Sequence, residues 1–372
     1  MVFYNLQMRI AESPSVSAPL VTLIREAIAR QGGWLPFDRF MAQALYAPGL
    51  GYYSSAGRKF GAMPSSGSDF VTAPELSRFF GLALARQVGQ ALSACDDDEV
   101  WEFGAGSGAL AHDLLETLGD RVSRYNIVDL SGALRQRQRD RLEAHADKVH
   151  WFDTLPETLH GVVIGNEVLD AMPVQLLHFD GRAWLERGVV SHDSGFAWSD
   201  RASALSAPVQ PAAWPDTTTE IHAQAEAFIA TLAARLHRGV MFFLDYGFPE
   251  HEYYHPQRRG GTLMCHRAHQ SDADPLVDVG LKDITAHINF TGIALAGQDN
   301  GLTVLGYTSQ ARFLLNCGLL GLLESADVRE RAHAQKLITE HEMGELFKVI
   351  GFAKGVALDA LGFSLGDRSH TL

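Results

Sequence analysis

The chain is short of cysteine, of excess positive charge and of long apolar runs, and each shortage removes a class of function. Its three cysteines, Cys95, Cys265 and Cys317, lie far apart without C-x-x-C spacing. Neither a disulfide framework nor a thiolate zinc site fits that pattern, so reduced thiols and a cytoplasmic location are expected. Lys and Arg number 31 against 44 Asp and Glu, a net charge of −13. No basic patch is dense enough to follow a phosphate backbone, which argues against nucleic-acid binding. No apolar run approaches the roughly 20 residues needed to cross a bilayer. Met1 to Ser15 breaks its few apolar residues with Asn5, Gln7, Arg9 and Glu12, so neither membrane attachment nor secretion is expected. His251, His255, His266 and His269 beside Cys265 form no tight ligand set, and an exposed His-rich loop without metal explains them.

What is present suits an enzyme-like α/β protein. Hydrophobic residues make up 46% and charged residues 20%, so the chain can bury a core, and 35 Gly with 14 Pro recur without period, as in short loops between alternating strands and helices. Helical spacing runs over Pro19–Arg30, and again from Thr72-Ala73-Pro74-Glu75, which reads as a capping box, through Leu76, Phe79, Phe80, Ala83, Leu84, Val88 and Leu92. Between them Pro36–Phe70, rich in Gly, Ser and Tyr, reads as a long ordered loop. Short apolar strands at Val100–Phe103, Tyr125–Val128, Val149–Phe152, Val162–Ile164 and Val240–Leu244 alternate with helices at Ala109–Leu118 and from Ser131 to about His145. The Arg135, Arg137, Arg139, Arg141 series reads as a solvated helix surface. Leu176–Val190 reads as a hairpin about Asp180-Gly181, Ser191–Asp216 as a loop, Thr217–Leu236 as a helix and Phe248–Val279 as loop-rich. A strand at Leu302–Tyr307 and helices near Gln310–Leu323 and Ala326–Ile350 follow. The fold class is a doubly wound, Rossmann-like α/β sheet with an N-terminal helical and loop segment and C-terminal insertions. It divides into residues 1–80, a cofactor-binding core over 81–190, and 191–372 carrying the remaining sheet, substrate-cleft elements and terminal helices.

The chemical signal begins at Glu102-Phe103-Gly104-Ala105-Gly106-Ser107-Gly108, between a strand and a helix. Glycines let the backbone turn sharply and approach a ligand, and the helix that follows offers free amides. The third glycine falls one position earlier than in the dinucleotide fingerprint, a spacing that suits S-adenosylmethionine better than NAD. Asp129 ends the next strand, where it can accept both ribose hydroxyls or cap the following helix. Asp153, after the third strand, is either an acid within reach of an adenine amino group or a turn residue. Asn166, Glu167 and Asp170 end the fourth strand, at the sheet edge where open parallel sheets place ligands. Glu167 otherwise caps a helix, and Asp170 otherwise makes a local backbone bond.

These motifs resemble the MidA family of class I methyltransferases, related to a mitochondrial complex I assembly factor that methylates a protein arginine. The resemblance covers nearly the whole chain, through Phe37–Met41, Leu45–Tyr53, Ser68–Ser77, Glu102–Gly108, Asn166–Pro173, Asp245–Gly247 and Asp283–Phe290. Asp129 stands where the family often has Glu. The resemblance implies S-adenosylmethionine as cofactor, held by Glu102, Gly104, Ala105, Gly106, Gly108, Asp129, Leu130, Asp153 and Asn166, with Asp69 and Thr72 contributed by the segment ahead of the helix. It also implies a protein substrate with an arginine acceptor, and a homodimer is open. Glu167 and Asp170 would orient the guanidinium, and His287 would take its proton or be a hydrogen-bonded core histidine. A small-molecule methyltransferase, a nicotinamide oxidoreductase and a non-catalytic assembly factor retaining the fold are the competing readings.

Overall fold

The computed structural model describes residues 17–54, 71–129, 132–207 and 215–372. Its centre is an eight-stranded mixed sheet built from β1 (Glu99–Phe103), β2 (Arg124–Val128), β3 (Val149–Phe152), β4 (Leu159–Asn166), β5 (Leu236–Phe248), β6 (Thr303–Ser309) and β7 (Phe347–Lys354), with the short strand Ile288–Asn289 paired to the end of β5. The order is β6-β7-β5-β4-β1-β2-β3. The five strands β1 to β5 run parallel, and β7 enters antiparallel between β5 and β6. Strand order reverses between β1 and β4, which opens a crevice beyond their C-terminal ends. This is the expected doubly wound architecture.

Both faces of the sheet are covered, and the strand sequences show why. Val100, Val162, Ile164, Val240 and Phe242 face one apolar cluster, packed under the Arg78–Cys95 and Ala109–Leu118 helices. Trp101, Phe103, Val163, Met241 and Phe243 face the other, under the Ala223–Arg235 and Phe290–Asp299 helices. Strands apolar on both sides have no wet face, so each residue is dictated by packing. A second, antiparallel sheet of Leu35–Pro36, Gln175–Phe179, Trp184–His192, Gly195–Ala202 and Thr217–Ile221 carries the N-terminal helices. A third joins Met264–Arg267, Gln270–Asp272 and Asp283–Thr285.

Several expected elements differ. Within the expected Pro36–Phe70 loop, Phe37–Tyr46 is a helix, burying Phe37, Phe40, Met41, Ala44 and Leu45 on one face. The helical spacing is there, but it runs directly into the Gly- and Tyr-rich turn that follows. Ser191–Asp216 is not all loop, because Gly195–Ala202 returns as a hairpin strand. Thr217–Ile221 is a strand and the helix starts only at Ala223, as the three β-branched threonines favour. The Ala326–Ile350 helix stops at Ile338, and Phe347–Lys354 is β7, rich in residues that suit a buried strand. Thr72 precedes a helix of only four residues, makes no side-chain cap, and the long helix begins one turn later behind Ser77, whose hydroxyl accepts the Phe79 N–H. Within the expected loop after Phe248, His266 lies in a strand.

The end of β5 is tied to the segment that brings His287 forward. Gly247 pairs in parallel with Ile288, and a Cβ there would lie 2.1 Å from the Ile288 carbonyl oxygen. Gly247→Ala should therefore destabilise the protein by about 1–3 kcal/mol through overpacking, measured by equilibrium urea unfolding.

Candidate active site

The C-terminal ends of the parallel strands open into a cavity of about 1050 Å³. Glu102, Gly104, Ala105, Gly106, Asp129, Asp153, Asn166 and Thr72 line it, and so do Glu167, Asp170 and His287. Gly108 does not line it. It sits behind the turn at φ +81°, as N-cap of the Ala109–Leu118 helix, against Gln138. Asp69 and Leu130 lie outside the described residues.

The cofactor end is built around the glycine turn. Gly104 and Gly106 have φ of +64° and +54°, a left-handed backbone that favours glycine. A Cβ on Gly104 would also come within 2.9 Å of Val168 Cγ2. Glu102 is buried under the turn, with the Tyr125 hydroxyl donating to its Oε2 at 2.6 Å. Burial pushes its carboxyl up to about 7 against that donor, with Asp129 adding to the rise. Gln138 donates through Nε2 to the Gly106 carbonyl at 3.0 Å and to Asp129 Oδ2 at 2.9 Å, while its Oε1 accepts from the Trp151 indole at 2.9 Å. Asp153 stands at the mouth with its carboxylate paired to Arg135.

The arginine series is thus not an idle surface. Besides Arg135, Arg139 stacks over Trp151, and Arg141 donates to Glu75 Oε1 at 2.7 Å and to Ser107 Oγ at 2.6 Å. Glu75 braces the glycine turn rather than capping a helix. Gln138 and Arg141 were not read as site residues, and Glu75 was read as part of a capping box. Only their contacts across the fold mark them, and nothing local to a polar helix announces those.

The other end of the cavity is acidic. Glu167 has φ +54°, a strained setting for a side chain of its size, and no helix follows for it to cap. Its Oε1 accepts the Ala73 N–H at 3.4 Å and the Asn166 amide at 3.2 Å. Burial raises its carboxyl to about 8, with Asp170 adding to the rise. Asp170 is raised to about 6 by burial, opposed by the Tyr246 hydroxyl, which donates to its Oδ2. Asp245, at the end of β5, accepts the N–H groups of Val168, Leu169, Asp170 and Tyr246. It is the residue most easily passed over, since it reads as a strand terminus.

His287 lies between the Phe248 ring, stacked at 5.4 Å, and the Tyr246 ring, edge-on at 5.1 Å. Burial pushes its imidazole down to about 4, and Arg258 contributes to that, so it is neutral at neutral pH. Tyr53, whose hydroxyl donates to Asp283 Oδ1 at 2.8 Å, and Tyr46 stack at 5.5 Å as an aromatic wall. His266 lines the same cavity with Asp283, its cross-strand partner, and is not part of an exposed loop. Among the described residues, seven carboxylates and no lysine or arginine line the cavity. Asn166 Oδ1, Asp170 Oδ1 and His287 Nδ1 are buried there without a hydrogen-bond partner among the described residues. All three can accept a hydrogen bond, so this end is prepared for a cationic group with several donors.

The cavity can hold a nucleoside at its glycine end and a cation at its acidic end, and known proteins of this build match the chain. A crystal structure of a COG1565 superfamily protein from Burkholderia thailandensis, bound to S-adenosyl-homocysteine, superposes with a TM-score of 0.93 at 49% identity, covering 97% of this chain and 99% of that one. The protein arginine methyltransferase NDUFAF7 of Danio rerio mitochondria is 25% identical, over 91% of this chain and 88% of the relative. Its Caenorhabditis elegans homolog is 24% identical, over 84% and 80%. A family model described as an S-adenosyl-L-methionine-dependent methyltransferase matches residues 83–308. That match spans more than half of the chain and the whole glycine turn, and the chain belongs to this family of S-adenosyl-L-methionine-dependent methyltransferases.

Proposed function

We propose that the enzyme methylates a guanidinium nitrogen of an arginine in a protein substrate. The observation that carries this reading is the acidic end of the cavity, where half-buried Glu167 and buried Asp170 have, among the described residues, no lysine or arginine beside them in the lining. The names of the mitochondrial relatives point the same way.

S-adenosylmethionine supplies the methyl group as an electrophile when bound. The glycine turn with Glu102 and Asn166 would hold it, Asp129 accepting its ribose hydroxyls and Asp153 reaching towards its base. A guanidinium is protonated and weakly nucleophilic until its charge is localised and a proton leaves. Asp170, fixed by Tyr246, pairs with the cation and keeps its negative charge. Glu167 turns one nitrogen towards the donor and takes its proton, being the stronger base of the two. The new C–N bond forms as the methyl–sulfur bond breaks, and that electron pair stays on sulfur. Of the two roles the sequence leaves open for His287, proton acceptor or hydrogen-bonded core histidine, its depressed basicity disfavours the first, and its Nδ1 accepts a hydrogen bond from the acceptor as a guide. Tyr46 and Tyr53 wall the acceptor side and limit access of water.

Removing a charged hydrogen-bond partner costs about 1.5–3 kcal/mol. Asp129→Ala should accordingly weaken S-adenosyl-homocysteine binding by about 10- to 100-fold in calorimetric titration. Glu167→Gln should bind S-adenosyl-homocysteine as the wild type does and lose about 100- to 1000-fold in methyl transfer. Radiolabelled transfer into proteins, with the modified residue mapped by mass spectrometry, reads the outcome, and label confined to lysine or to metabolites rejects the arginine reading. Protonated Glu167 can neither pair with a cation nor take a proton. Wild-type kcat/KM should therefore rise with pH and level off above about 8, and Glu167→Gln should lose that limb.

A further inference from the structure

Asp245 does not line the cavity, yet the turn that presents both acidic residues is built around it. The chain leaves β4 through Glu167, whose N–H reaches back to the Leu244 carbonyl at 2.9 Å. The left-handed conformation of Glu167 then aims the next three amides at one point, a nest of the kind that binds anions. Asp245 Oδ2 occupies it, accepting from Val168 at 3.2 Å, Leu169 at 2.9 Å and Asp170 at 3.2 Å. Its Oδ1 accepts from Tyr246 at 2.9 Å, the residue whose hydroxyl holds Asp170. One carboxylate thus fixes Glu167 and Asp170 from the backbone side and Asp170 a second time through Tyr246.

Burial, with Asp170 and Glu167 adding to the rise, pushes the Asp245 carboxyl well above its usual value, and the amides it accepts oppose that rise. Asp245 is 1% exposed and lies behind Glu167 and Asp170, and no ion pair to any of the three is found among the described residues. Asp283 faces the same group from the small sheet, with Tyr53 donating to it. Three neighbouring acidic groups oppose one another's ionisation, and a cation in front of them relieves that opposition.

We propose that Asp245 is a positioning and specificity-determining residue: it pins the Glu167–Asp170 turn and places a third acidic group behind it, so that the turn favours a cationic acceptor. This rests on the arginine reading above and names the residue that enforces it. Asp245 acts through Glu167 and Asp170 and touches neither donor nor acceptor.

The test compares wild type with Asp245→Asn, which keeps an acceptor for the nest and removes the charge, and with Asp245→Glu as the charge-retaining control. Titration with ethylguanidinium in the presence of saturating S-adenosyl-homocysteine reads acceptor binding without turnover. Asp245→Asn should keep S-adenosyl-homocysteine affinity within about threefold, bind ethylguanidinium at least about tenfold more weakly, and shift the alkaline limb of kcat/KM to lower pH, because ionising Glu167 no longer opposes a neighbouring charge. Asp245→Glu should recover part of the ethylguanidinium affinity. An Asn variant with wild-type ethylguanidinium affinity and pH limb overturns the proposal, as does one that loses S-adenosyl-homocysteine and ethylguanidinium binding in equal measure, which marks a purely structural role. Wild-type protein that binds ethylguanidinium but labels no arginine rejects the arginine activity while leaving the role of Asp245 standing.

Discussion

Carboxyl groups gathered around a cavity that, among the described residues, no lysine or arginine lines are the condition around which the remaining architecture is arranged. Glu102, Asp129, Glu167, Asp170 and Asp245 all belong to the ends of parallel strands or to the turns just beyond them. A carboxylate out of water is costly unless hydrogen bonds hold it, and each of these five is held: Tyr125 for Glu102, Gln138 for Asp129, Ala73 and Asn166 for Glu167, Tyr246 for Asp170, four amides for Asp245. The cost is concentrated at one edge of the sheet. A donor that carries a sulfonium charge suits that edge.

The rigid parts and the chemical parts divide cleanly along the chain. Apolar residues alternating across both faces of β1, β4 and β5 fix the sheet, and polar chemistry gathers towards their C-terminal ends, with Glu102 in β1, Asn166 closing β4 and Asp245 in β5. The N-terminal helices reach the site through Tyr46, whose hydroxyl donates to the Ala171 carbonyl at 2.8 Å, and through Ala73, which donates to Glu167. The small sheet of Met264–Thr285 supplies the facing wall, with Met264, His266, Asp283 and Thr285 on its cavity side. Elements distant in sequence therefore meet at a volume that no single segment encloses.

Much of this was legible in the residues. Five buried strands, the glycine turn and the acids that follow it were readable because parallel strands demand continuous apolar runs and a ligand-facing turn demands residues without Cβ. The Phe37–Tyr46 helix was hidden because ten helical residues run straight into a Tyr- and Gly-rich turn, so the whole stretch read as loop. Thr217–Ile221 and Phe347–Lys354 were absorbed into neighbouring helices, although their β-branched and aromatic residues favour strands, because amphipathic spacing tolerates such residues over a few positions. Gln138, Arg141 and Asp245 were missed for a different reason. Their importance lies in partners 9 to 77 positions away, and side-chain reach across a fold leaves no local pattern. His287 was found by its motif, but only the aromatic stack around it and its burial decide that the ring is uncharged.

Gln138 ends with a consequence of its own. Fully buried, it clamps the backbone of the glycine turn, Asp129 and an indole at once. A loop already immobilised has little disorder left to surrender when a nucleoside arrives, so binding energy there is spent on recognition rather than on assembly. Affinity for the spent nucleoside should rise for the same reason, which makes departure of the product, rather than capture of the donor, the step that such a stiff cradle slows.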